Sequence, residues 1–451
     1  MGGKGLQEGI FKAYDIRGIY PRDINEQTAK AIGYAFGKHI GEGKKIAVCM
    51  DVRISSPELK KNAVLGLLDS GVKIIDMGIA PTPVVHFAVS YYGLDGGIMI
   101  TASHNPKEWN GFKFYAEKSE PIGIENGLEN IRRIASSENY ETNAHLPVEY
   151  REKEILEMYE EFLLSKAKAD KRVRIGVDPG NGSYSGIAKR IFEKAGAEVF
   201  IINDKRDGNF PSRSPEPKEG SLSELEGLVR KEGLDFGIAF DADGDRGVFV
   251  KGNGKVLRGD RTLAILAKNM IKKGEKLVFD VSCTDAVQDS VKANGGIPIV
   301  TRIGRTFVSR KMAETGAVIG GELSGHTYFA EAYYADDPML AGLKMMELVS
   351  RKGMSIDEMD MDIPNYKSTT LELQIDEGLK FKAMEKIAEV MKAKYEPVTI
   401  DGIKVRTDGG WFIIRASNTT PMIKIVAEAK TEEDLEKILK IPKEAFDRIL
   451  S

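Results

Sequence analysis

The sequence predicts an α/β protein in which three tandem, related α/β/α domains with mixed, largely parallel sheets precede a small C-terminal α+β domain. Three observations support this fold class. The 451 residues are too many for a single hydrophobic core. One order of strands and helix occurs three times, as expected for related domains with parallel sheets. After Pro364 this order gives way to alternating apolar residues, which are typical of a half-buried strand.

The composition favours a cytoplasmic protein. Hydrophobic residues make up 42% of the chain and the net charge is −3, so a nucleic-acid partner, which requires a basic face, is not expected. Cys49 and Cys283 lie in apolar runs without a CxxC spacing, which fits a reducing compartment. No apolar stretch approaches the length of a membrane span, and the N-terminus has no signal-peptide core, so we expect no membrane partner.

The first repeat ends in a polar loop with a candidate nucleophile. Its elements are an apolar run (46–50), a helical stretch (57–70), a second apolar run (72–75), a third run (97–100) and the loop TASHNP (101–106). Open α/β sheets place reactive groups at the carboxyl ends of their strands, which puts Ser103 at a sheet edge. His104 is a candidate base, but neighbouring residues in an extended loop point in opposite directions. An ordinary turn is the alternative interpretation.

The second and third repeats end in loops of different chemistry. The second repeat has apolar runs at 173–177, 197–202 and 236–240, a helical stretch at 185–195 and the loop DADGDR at 241–246. The third has apolar runs at 276–279, 297–300 and 317–320, a helical stretch at 285–293 and the loop GELSGH at 321–326. Each of three related domains would therefore present a loop from the equivalent strand.

The acidic loop predicts a metal site. Asp241, Asp243 and Asp245 alternate, and in an extended segment their Cα atoms would lie about 6–7 Å apart. Each like-charged pair costs roughly 2–3 kcal/mol at an effective dielectric constant of about 20, so a positive charge should lie among them. Oxygen ligands that leave room for a phosphate favour Mg²⁺. An EF-hand is excluded because Arg246 and Gly252 stand where its glycine and glutamate belong. A solvated acidic turn is the alternative.

The GELSGH loop carries groups that match a sugar. Glu322, Ser324 and His326 alternate, and a carboxylate, a hydroxyl and an imidazole on one side of a loop suit vicinal hydroxyls. Gly321, which begins the loop, is included among the candidate substrate-binding residues. A structural hairpin explains the same pattern, so this loop is informative only beside the others.

The C-terminal segment carries a candidate phosphate site. A strand is predicted at 371–375, a helix at 380–394, and two apolar runs, 411–414 and 423–427, flank the loop RASNTTP at 415–421. Arg415 supplies a bidentate fork for phosphate, and Ser417, Asn418 and Thr419 add hydroxyl, amide and backbone donors. The chain has no GxxxxGK[ST] sequence, so a nucleoside triphosphatase is not expected.

The seams between these segments predict four domains, at 1–150, 151–252, 253–364 and 365–451. A charged helix with one apolar face, predicted over 150–168, joins the first two domains. The turn signal at 252–254 marks the next seam and Pro364 marks the last.

Two further segments of the first domain add candidates. KAYDIRG, residues 12–18, is too polar for a strand interior and contributes Tyr14 and Arg17, of which Arg17 is a candidate phosphoryl clamp. Lys113 follows the serine loop closely enough to reach the same site, although an exposed surface lysine is the default interpretation.

Together the loops indicate phosphosugar chemistry through a phosphorylated serine. TASHNP, DADGDR, GELSGH and RASNTTP, in this order, resemble the loops of the α-D-phosphohexomutase superfamily over essentially the whole chain. The resemblance implies four domains around a central cleft. It implies that Ser103 is a phosphoserine and a ligand of Mg²⁺ together with Asp241, Asp243 and Asp245. It also implies sugar-binding roles for Glu322 and Ser324, and phosphate-binding roles for Arg415, Ser417, Asn418 and Thr419.

Within the superfamily, KAYDIRG and RASNTTP resemble the phosphomannomutase/phosphoglucomutase branch. This resemblance implies an isomerase, a monomer or homodimer, that interconverts hexose 1-phosphate and hexose 6-phosphate of mannose or glucose. Phosphoglucosamine mutases, which usually carry glycine and glutamate where this chain has Asn418 and Thr420, are the alternative. Ser282 and Arg305 stand where some members of the branch have lysine and histidine, which leaves the preferred sugar open.

The expected reaction passes through hexose 1,6-bisphosphate, which serves as intermediate and activator. Phospho-Ser103 gives its phosphoryl group to the 6-hydroxyl of a hexose 1-phosphate and recovers one from the 1-position, while Arg17 and Arg246 offset the charge. Lys113 is the candidate proton relay, with His104 and His326 as rivals.

Two other classes of function remain. A haloacid-dehalogenase-type sugar phosphatase would use Asp241 and Asp243 as a DxDG nucleophile motif, but Asp245 and the position after a third strand depart from that family. A non-catalytic sugar-phosphate sensor would bind the same ligands without turnover. Release of free phosphate without isomer formation would favour the phosphatase.

Overall fold

The computed structural model describes residues 7–137, 147–416 and 422–450, and these residues form four sheets. The first three sheets contain parallel and antiparallel strands with helices packed on them, and the fourth is wholly antiparallel. This confirms the predicted fold class. In the described part of the chain, no helix has both the length and the apolar character that a membrane crossing requires.

The first unit contains a six-stranded sheet. Its elements are β1 (Ile16–Ile19), α1 (Glu26–Ile40), β2 (Lys45–Met50), α2 (Ser56–Asp69), β3 (Lys73–Ile79), α3 (Thr82–Tyr91), β4 (Gly96–Ile100), β5 (Trp109–Ala116), α4 (Leu128–Ala135) and β6 (Val148–Tyr150). The strand order is β1-β5-β4-β2-β3-β6. Ile46 and Val48 of β2 face one apolar cluster and Ala47 and Cys49 face another, so the strand is buried on both sides and is apolar throughout its centre.

The second unit follows the connecting helix α5 (Glu152–Lys166), whose Ile155, Tyr159 and Leu163 are buried. Its further elements are β7 (Val173–Asp178), α6 (Ala188–Lys194), β8 (Ala197–Ile201), α7 (Ser223–Glu232), β9 (Phe236–Phe240), β10 (Gly247–Lys251) and β11 (Val256–Leu257). The strand order is β11-β10-β9-β7-β8, and β11 extends this sheet beyond the seam predicted between residues 252 and 253.

The third unit has the strand order β13-β12-β14-β15-β16. Its elements are α8 (Gly259–Met270), β12 (Lys276–Asp280), α9 (Asp285–Ala293), β13 (Ile297–Thr301), α10 (Arg305–Thr315), β14 (Ile319–Gly321), β15 (Thr327–Phe329), β16 (Ala335–Asp336), α11 (Pro338–Lys352) and α12 (Ile356–Met361).

The three units share one topology. In each, the strands formed by the three apolar runs pair in parallel in the order third, first, second: β4-β2-β3, β9-β7-β8 and β14-β12-β13. The strand after the polar loop returns antiparallel, as β5, β10 and β15 do. The three loops therefore occupy the same position, at the carboxyl end of the third-run strand. The predicted threefold repetition is confirmed.

Two expectations about single elements are wrong. KAYDIRG is not too polar for a strand, because Ile16–Ile19 form β1 at the edge of the sheet, paired with β5, and alternate between buried and partly exposed positions. The helix expected from Ser185 begins at Ala188, since Gly186 has a φ of 76°, which a right-handed helix does not accept.

The fourth unit is a four-stranded antiparallel sheet of order β17-β20-β19-β18, with two helices packed against it. Its elements are β17 (Lys367–Gln374), α13 (Glu377–Lys392), β18 (Ile403–Thr407), β19 (Gly410–Ala416), β20 (Met422–Ala429) and α14 (Glu432–Leu450). The strand predicted at 371–375 lies within and one residue beyond β17, and the predicted helix corresponds to α13.

The buried apolar side chains show how the units are joined. One continuous cluster runs through the first three units and includes Phe87, Tyr159, Ile238 and Leu263. The fourth unit has its own cluster, centred on side chains such as Ile387. The first three units therefore share a core, whereas the fourth is folded around a separate one.

Candidate active site

The loops of the first three units meet in one cavity of about 850 Å³, a volume typical of small-ligand sites. Ser103, Arg246 and His326 line it from the first, second and third units respectively. Basic side chains outnumber acidic ones on its wall, which favours an anionic ligand. These basic residues are Lys12, Arg17, Lys107, Lys113, Arg213, Lys218, Arg246 and Arg305.

Ser103 lies on the cavity wall in a left-handed backbone conformation, with a φ of 52°. Its backbone N–H donates to Thr101 Oγ1 at 2.8 Å, and its hydroxyl donates to Asp241 Oδ2 at 3.1 Å. A serine holds this conformation only where its surroundings enforce it, as active sites often do. The geometry therefore fixes the hydroxyl against the first carboxylate of the acidic loop.

His104 lies next to that hydroxyl, contrary to the expectation from an extended loop. The Ser103 Oγ to His104 Nδ1 distance is 3.2 Å, because the left-handed turn at Ser103 brings the two side chains together. Burial lowers the pKa of His104 well below its usual value, and Arg246 and Arg17 lower it further. The imidazole is therefore neutral near pH 7 and can accept a proton.

Arg53, which sequence analysis missed, holds the serine loop in place. Its fully buried guanidinium donates to the carbonyls of Ser103, Asn105, Pro106 and Trp109 at distances of 2.6–3.0 Å. It pairs with Asp51 at 3.0 Å, and Asp51 in turn accepts from the Thr101 hydroxyl at 2.8 Å. A signal was present in the sequence, since a charged pair directly follows a buried strand.

The acidic loop is a turn and not the extended segment that the alternation predicts. Gly244 has a φ of 72°, and its N–H donates to the Asp241 carbonyl at 3.1 Å. The turn brings one oxygen each of Asp241, Asp243 and Asp245 within 4.8 Å of one another. The positive charge expected among them is Lys113, whose Nζ donates to Asp243 Oδ2 at 2.6 Å and also to Asp245 Oδ2.

The charges in this loop are unevenly compensated. Burial raises the pKa of Asp241 well above its usual value, and Asp245 and Asp243 raise it further. Burial acts in the same direction on Asp245, but Lys113 and His326 outweigh it and hold the pKa of Asp245 well below its usual value. Lys113 is itself 1% exposed, so the interpretation of Lys113 as a surface lysine is wrong.

The acidic loop has the chemistry of a divalent-cation site. Asp243 Oδ1 and Asp245 Oδ1 are buried without a hydrogen-bond partner, which is costly unless a ligand satisfies them. The three carboxylates form a cluster of oxygen ligands, and Mg²⁺ prefers such a set. The residues therefore fit the metal that the family resemblance implies.

Arg17 and Arg246 both line the cavity. Arg17 Nη1 donates to Asn105 Oδ1 at 2.6 Å, and Arg17 Nη2 donates to Asp15 Oδ2 at 2.7 Å, so its guanidinium is tied to the serine loop. The backbone N–H of Arg246 donates to Asp241 Oδ1 at 3.1 Å, and its buried Nε has no hydrogen-bond partner. Both cations are thus placed beside the cluster of Ser103 and the carboxylates.

Tyr14 connects the first unit to the third. Its hydroxyl donates to the Ile303 carbonyl at 3.0 Å, and Gly304 leaves room for its ring, since a Cβ there would lie 2.7 Å from the Tyr14 ring. Burial raises the pKa of Tyr14 to about 12, with contributions from Glu322 and Asp401. The phenol therefore remains a neutral hydrogen-bond donor at physiological pH.

The GELSGH loop presents three of its four predicted residues to the cavity. His326 Nδ1 lies 3.0 Å from Glu322 Oε2 and 2.7 Å from Ser324 Oγ. Burial opposes a charge on His326, but Asp245 and Glu322 raise its pKa to about 10. Gly321 is not part of the cavity wall; it lies in β14, where a Cβ would meet Leu263.

Arg415 lies at the end of β19, half-buried, and is not part of the cavity wall. It pairs with Asp401 at 3.2 Å, and Asp401 accepts from the Ile303 N–H at 3.0 Å, next to the carbonyl that Tyr14 uses. Ser417, Asn418 and Thr419 lie outside the described residues. Arg415 is thus the one of the four predicted phosphate-binding residues that the structure describes.

Ser282 and Arg305, the two residues that differ from some members of the resembled branch, have different surroundings. Arg305 lines the cavity at the first residue of α10 and donates to the Tyr115 hydroxyl. Ser282 is buried outside the cavity wall and donates to Asp280 Oδ1. Arg305 is therefore the departure that bears directly on ligand binding.

The second unit supplies a cavity wall that sequence analysis missed. Asn209, Phe210, Glu216 and Lys218 line it from the long segment between β8 and α7. Loops of about 20 residues without secondary structure are uncommon and usually functional, so the length of this segment was the available signal.

Family models match four consecutive segments of the chain. The phosphoglucomutase/phosphomannomutase alpha/beta/alpha domains I, II and III match residues 8–141, 154–254 and 258–366, and the C-terminal domain matches residues 372–444. These matches follow the order of the four sheets.

Relatives match over nearly the whole chain. The "Phosphomannomutase/phosphoglucomutase" of Pseudomonas syringae pv. tomato is 34% identical over 96% of this chain and 94% of its own length. The "Phosphomannomutase" of Methanocaldococcus jannaschii is 35% identical over 94% of this chain and 95% of its own. The crystal structure of a phosphoglucomutase/phosphomannomutase family protein from Burkholderia thailandensis has a TM-score of 0.89 and 31% identity, with 98% of each chain covered. Full-length similarity at this level shows that the chain belongs to the phosphoglucomutase/phosphomannomutase family.

Proposed function

We propose that the protein is a hexose-phosphate mutase that interconverts hexose 1-phosphate and hexose 6-phosphate of mannose or glucose. One observation carries this proposal: the Ser103 hydroxyl faces a basic cavity and lies 3.1 Å from a cluster of three buried carboxylates. A serine that alternately gives and receives a phosphoryl group needs a hydroxyl that the substrate can reach, a cluster that binds a cation and a wall that binds an anion.

The resting enzyme would carry a phosphoryl group on Ser103. Asp241, Asp243 and Asp245 would hold Mg²⁺, which would offset the roughly −1.5 to −2 charges of that group. Arg17 and Arg246, placed beside the serine loop and the acidic loop, would bind the remaining phosphoryl oxygens. Charge is thus compensated before the substrate arrives, which lowers the reorganisation needed during transfer.

In the first half-reaction the phosphoryl group moves to the sugar. The phosphorus–oxygen bond to Ser103 Oγ breaks, a bond to the 6-oxygen of hexose 1-phosphate forms, and the proton of the 6-hydroxyl passes to a base. Ser103 Oγ gains a proton as the phosphoryl group leaves it. His104, which is neutral and adjacent to Oγ, is a candidate to accept that proton again when the Ser103 hydroxyl attacks in the second half-reaction. Lys113 carries its charge between two carboxylates, so it would act as a proton relay only when one of these bonds is broken.

In the second half-reaction the phosphorus–oxygen bond at the sugar's 1-oxygen breaks and a bond to Ser103 Oγ forms, while the proton of the Ser103 hydroxyl passes to a base and the 1-oxygen gains a proton. The hexose 1,6-bisphosphate would turn over in the cavity so that its 1-phosphate faces Ser103, which recovers a phosphoryl group and releases hexose 6-phosphate. Glu322, Ser324 and His326 would bind sugar hydroxyls that both orientations present. Their short hydrogen bonds to one another hold them in fixed positions for either orientation.

The phosphate that does not react would bind in the fourth unit. Arg415 is held by Asp401 close to Tyr14, and it would meet that phosphate together with Ser417, Asn418 and Thr419. The four segments predicted as domains would then divide the work into phosphoserine, metal, sugar and distal phosphate. Movement of the fourth unit about Pro364 would exclude water, which would otherwise hydrolyse the phosphoserine.

The decisive test uses Ser103→Ala with Ser183→Ala as the matched control. Ser183 is also buried and lies against the acidic loop, where its hydroxyl donates to the Ala242 carbonyl at 3.0 Å. Intact mass spectrometry should find a fraction of wild-type and Ser183→Ala chains with one added phosphoryl group, and none in Ser103→Ala. Nearly all mutase activity should disappear with it. Wild-type turnover of Ser103→Ala in the presence of added hexose 1,6-bisphosphate would overturn the proposal.

The sugar is tested separately from the reaction. Rates should be compared with mannose 1-phosphate, glucose 1-phosphate and glucosamine 1-phosphate at equal concentration. We expect mannose and glucose phosphates to react, and a preference for the glucosamine phosphate would move the protein to the alternative class. Arg305→His, at the departing position on the cavity wall, should change the ratio of these rates more than it changes their sum.

A further inference from the structure

A second group of buried polar atoms adjoins the acidic loop, because Asp336 of β16 lies close to Asp245 and His326. Asp336 is 1% exposed, and both of its carboxylate oxygens lack a hydrogen-bond partner. Asp245 Oδ1, which faces the same place, also lacks one. Two buried carboxylates with unsatisfied oxygens are costly, so a ligand that satisfies both is physically favoured.

His326 lies between these carboxylates. Its Nδ1 is occupied by Glu322 at 3.0 Å and by Ser324 at 2.7 Å, so Nε2 is the nitrogen directed at Asp245 Oδ1, at 3.4 Å. A histidine whose one nitrogen is held by a carboxylate, while the other faces acidic groups, has the arrangement found in many metal sites.

The three residues have the spacing of a coordination sphere. One ligand atom each of Asp245, His326 and Asp336 lies within 4.8 Å of the others. Ligands bound about 2.1 Å from one ion lie roughly 3–4 Å apart, so small side-chain rotations would complete the set. His86 Nε2 also lies 3.2 Å from Asp336 Oδ1, but its alignment does not make a hydrogen bond.

We infer that Asp245, His326 and Asp336 form a second divalent-metal site, which shares Asp245 with the acidic loop. Its one nitrogen and two carboxylates suit an ion such as Zn²⁺, which accepts imidazole, better than Mg²⁺, which prefers oxygen alone. The cavity provides the entry path, because Asp245 and His326 both line it. The inference goes beyond the proposed function and does not depend on phosphorylation of Ser103.

The site has a predictable effect on the protein. Zn²⁺ binding would release any proton from His326 Nε2 and would occupy Asp245 Oδ1. It would join the second unit to the third and withdraw His326 from the sugar. Zn²⁺ should therefore lower turnover even when Mg²⁺ is in excess.

Metal stoichiometry separates the two sites. Full-length protein is dialysed against Zn²⁺, washed in metal-free buffer and analysed by elemental mass spectrometry, for the wild type, Asp241→Asn, Asp336→Asn and the double variant. We expect two zinc ions per chain in the wild type, one in each single variant and none in the double variant. One zinc ion in the wild type that is lost in Asp241→Asn and retained in Asp336→Asn would overturn the inference.

A second measurement needs no variant, which matters because Asp336 is buried. Crystals of the wild-type protein are soaked in Zn²⁺, and anomalous differences are measured at the zinc edge. A peak between Asp245, His326 and Asp336, separate from a peak at the acidic loop, supports the site. The charge of Arg305 acts on Asp336 and Asp245, and that of His326 acts on both as well. A single peak at Asp241, Asp243 and Asp245 shows that these two charges already compensate the two carboxylates, and the inference fails.

Discussion

The first three units and the fourth unit differ in how they are attached to the rest of the molecule. The serine, acidic and GELSGH loops belong to three units that share one apolar core. The fourth unit has its own core and meets the third through a small cluster that includes Val281 and Trp411. Around that cluster the contacts are polar, as in the Arg406–Asp285 ion pair. The three candidate catalytic loops therefore share a core, whereas Arg415 belongs to a unit with a core of its own.

Two arginine–aspartate pairs test this difference most strongly. Arg53 and Asp51 are both 0% exposed, whereas Arg406 is about half exposed in its pair with Asp285. Arg53→Ala leaves a buried carboxylate and four loop carbonyls unpaired, so we expect a loss of about 3–5 kcal/mol in unfolding free energy and loss of turnover. Arg406→Ala should cost less than about 1 kcal/mol. Urea unfolding and mutase assays measure both, and equal costs would contradict the contrast.

Lys113→Met should have the next largest effect, because it should lower turnover but raise the affinity for Mg²⁺. Removal of the ammonium that bonds to Asp243 and Asp245 leaves more negative charge in the acidic loop. We expect turnover to fall about 10²-fold and Mg²⁺ to bind more tightly. Isothermal titration with Mg²⁺ and steady-state kinetics measure these quantities.

Lys60→Met is the matched control for Lys113→Met. Lys60 is also largely buried and pairs with Asp76 at 2.8 Å in the same unit, outside the cavity wall. It should change neither quantity. Weaker Mg²⁺ binding in Lys113→Met would show that the lysine supports the metal site and does not compete with the ion.

The architecture of the first three units could be predicted largely from the sequence. Strands buried on both faces, such as β4, are continuous apolar runs, and each polar loop follows its strand directly. Because the same order of strands and helix occurs three times, the topology could be predicted even though the start of one helix was wrong. The family resemblance rested on the same loops and was confirmed by matches along the whole chain.

The contacts between loops could not be predicted in the same way. The backbone turns at Ser103 and Gly244 change the directions in which the neighbouring side chains point. The residue types in these loops do not specify those turns. Lys113 compensates carboxylates more than a hundred residues away because β5 lies beside the second unit. The charged pair after β2 marks Arg53 in the sequence, but the sequence does not show which backbone carbonyls Arg53 binds. Phosphate binding by Ser417, Asn418 and Thr419 remains a prediction.

Arg415→Ala tests whether the fourth unit binds the distal phosphate. If Arg415 binds the distal phosphate, its loss removes charge-assisted hydrogen bonds worth about 1.5–3 kcal/mol, and the Michaelis constant should rise at least roughly tenfold with a smaller change in kcat. Lys424→Ala is the control, because Lys424 is the cross-strand neighbour of Arg415 and pairs with Glu372 instead. A Michaelis constant that rises equally in both variants would indicate a general effect of charge.

The smallest predicted effect concerns the contact between the third and fourth units. Lys404 donates to the Val281 carbonyl at 2.7 Å and lies 3.6 Å from the centre of the Trp411 ring. Burial lowers the pKa of Lys404 from 10.5 to about 8, although Asp285 opposes this shift. The unfolded chain therefore holds this proton to higher pH than the folded chain does. Between about pH 8 and the usual value, the unfolding free energy must rise with pH, by about 1 kcal/mol over the first unit.

Lys404→Met isolates that contribution, because it keeps an apolar chain against Trp411 and removes the titrating group. Urea unfolding of both proteins at several pH values between about 8 and 9 gives two slopes, and their difference cancels every other group that titrates there. Asp285, Arg406 and Glu428, which surround Lys404, remain in both proteins. A steeper rise in the wild type means that the contact between the units carries a destabilising charge below pH 8. Equal slopes would mean that water reaches Lys404, and that the fourth unit is less firmly attached than its buried contact with Val281 indicates.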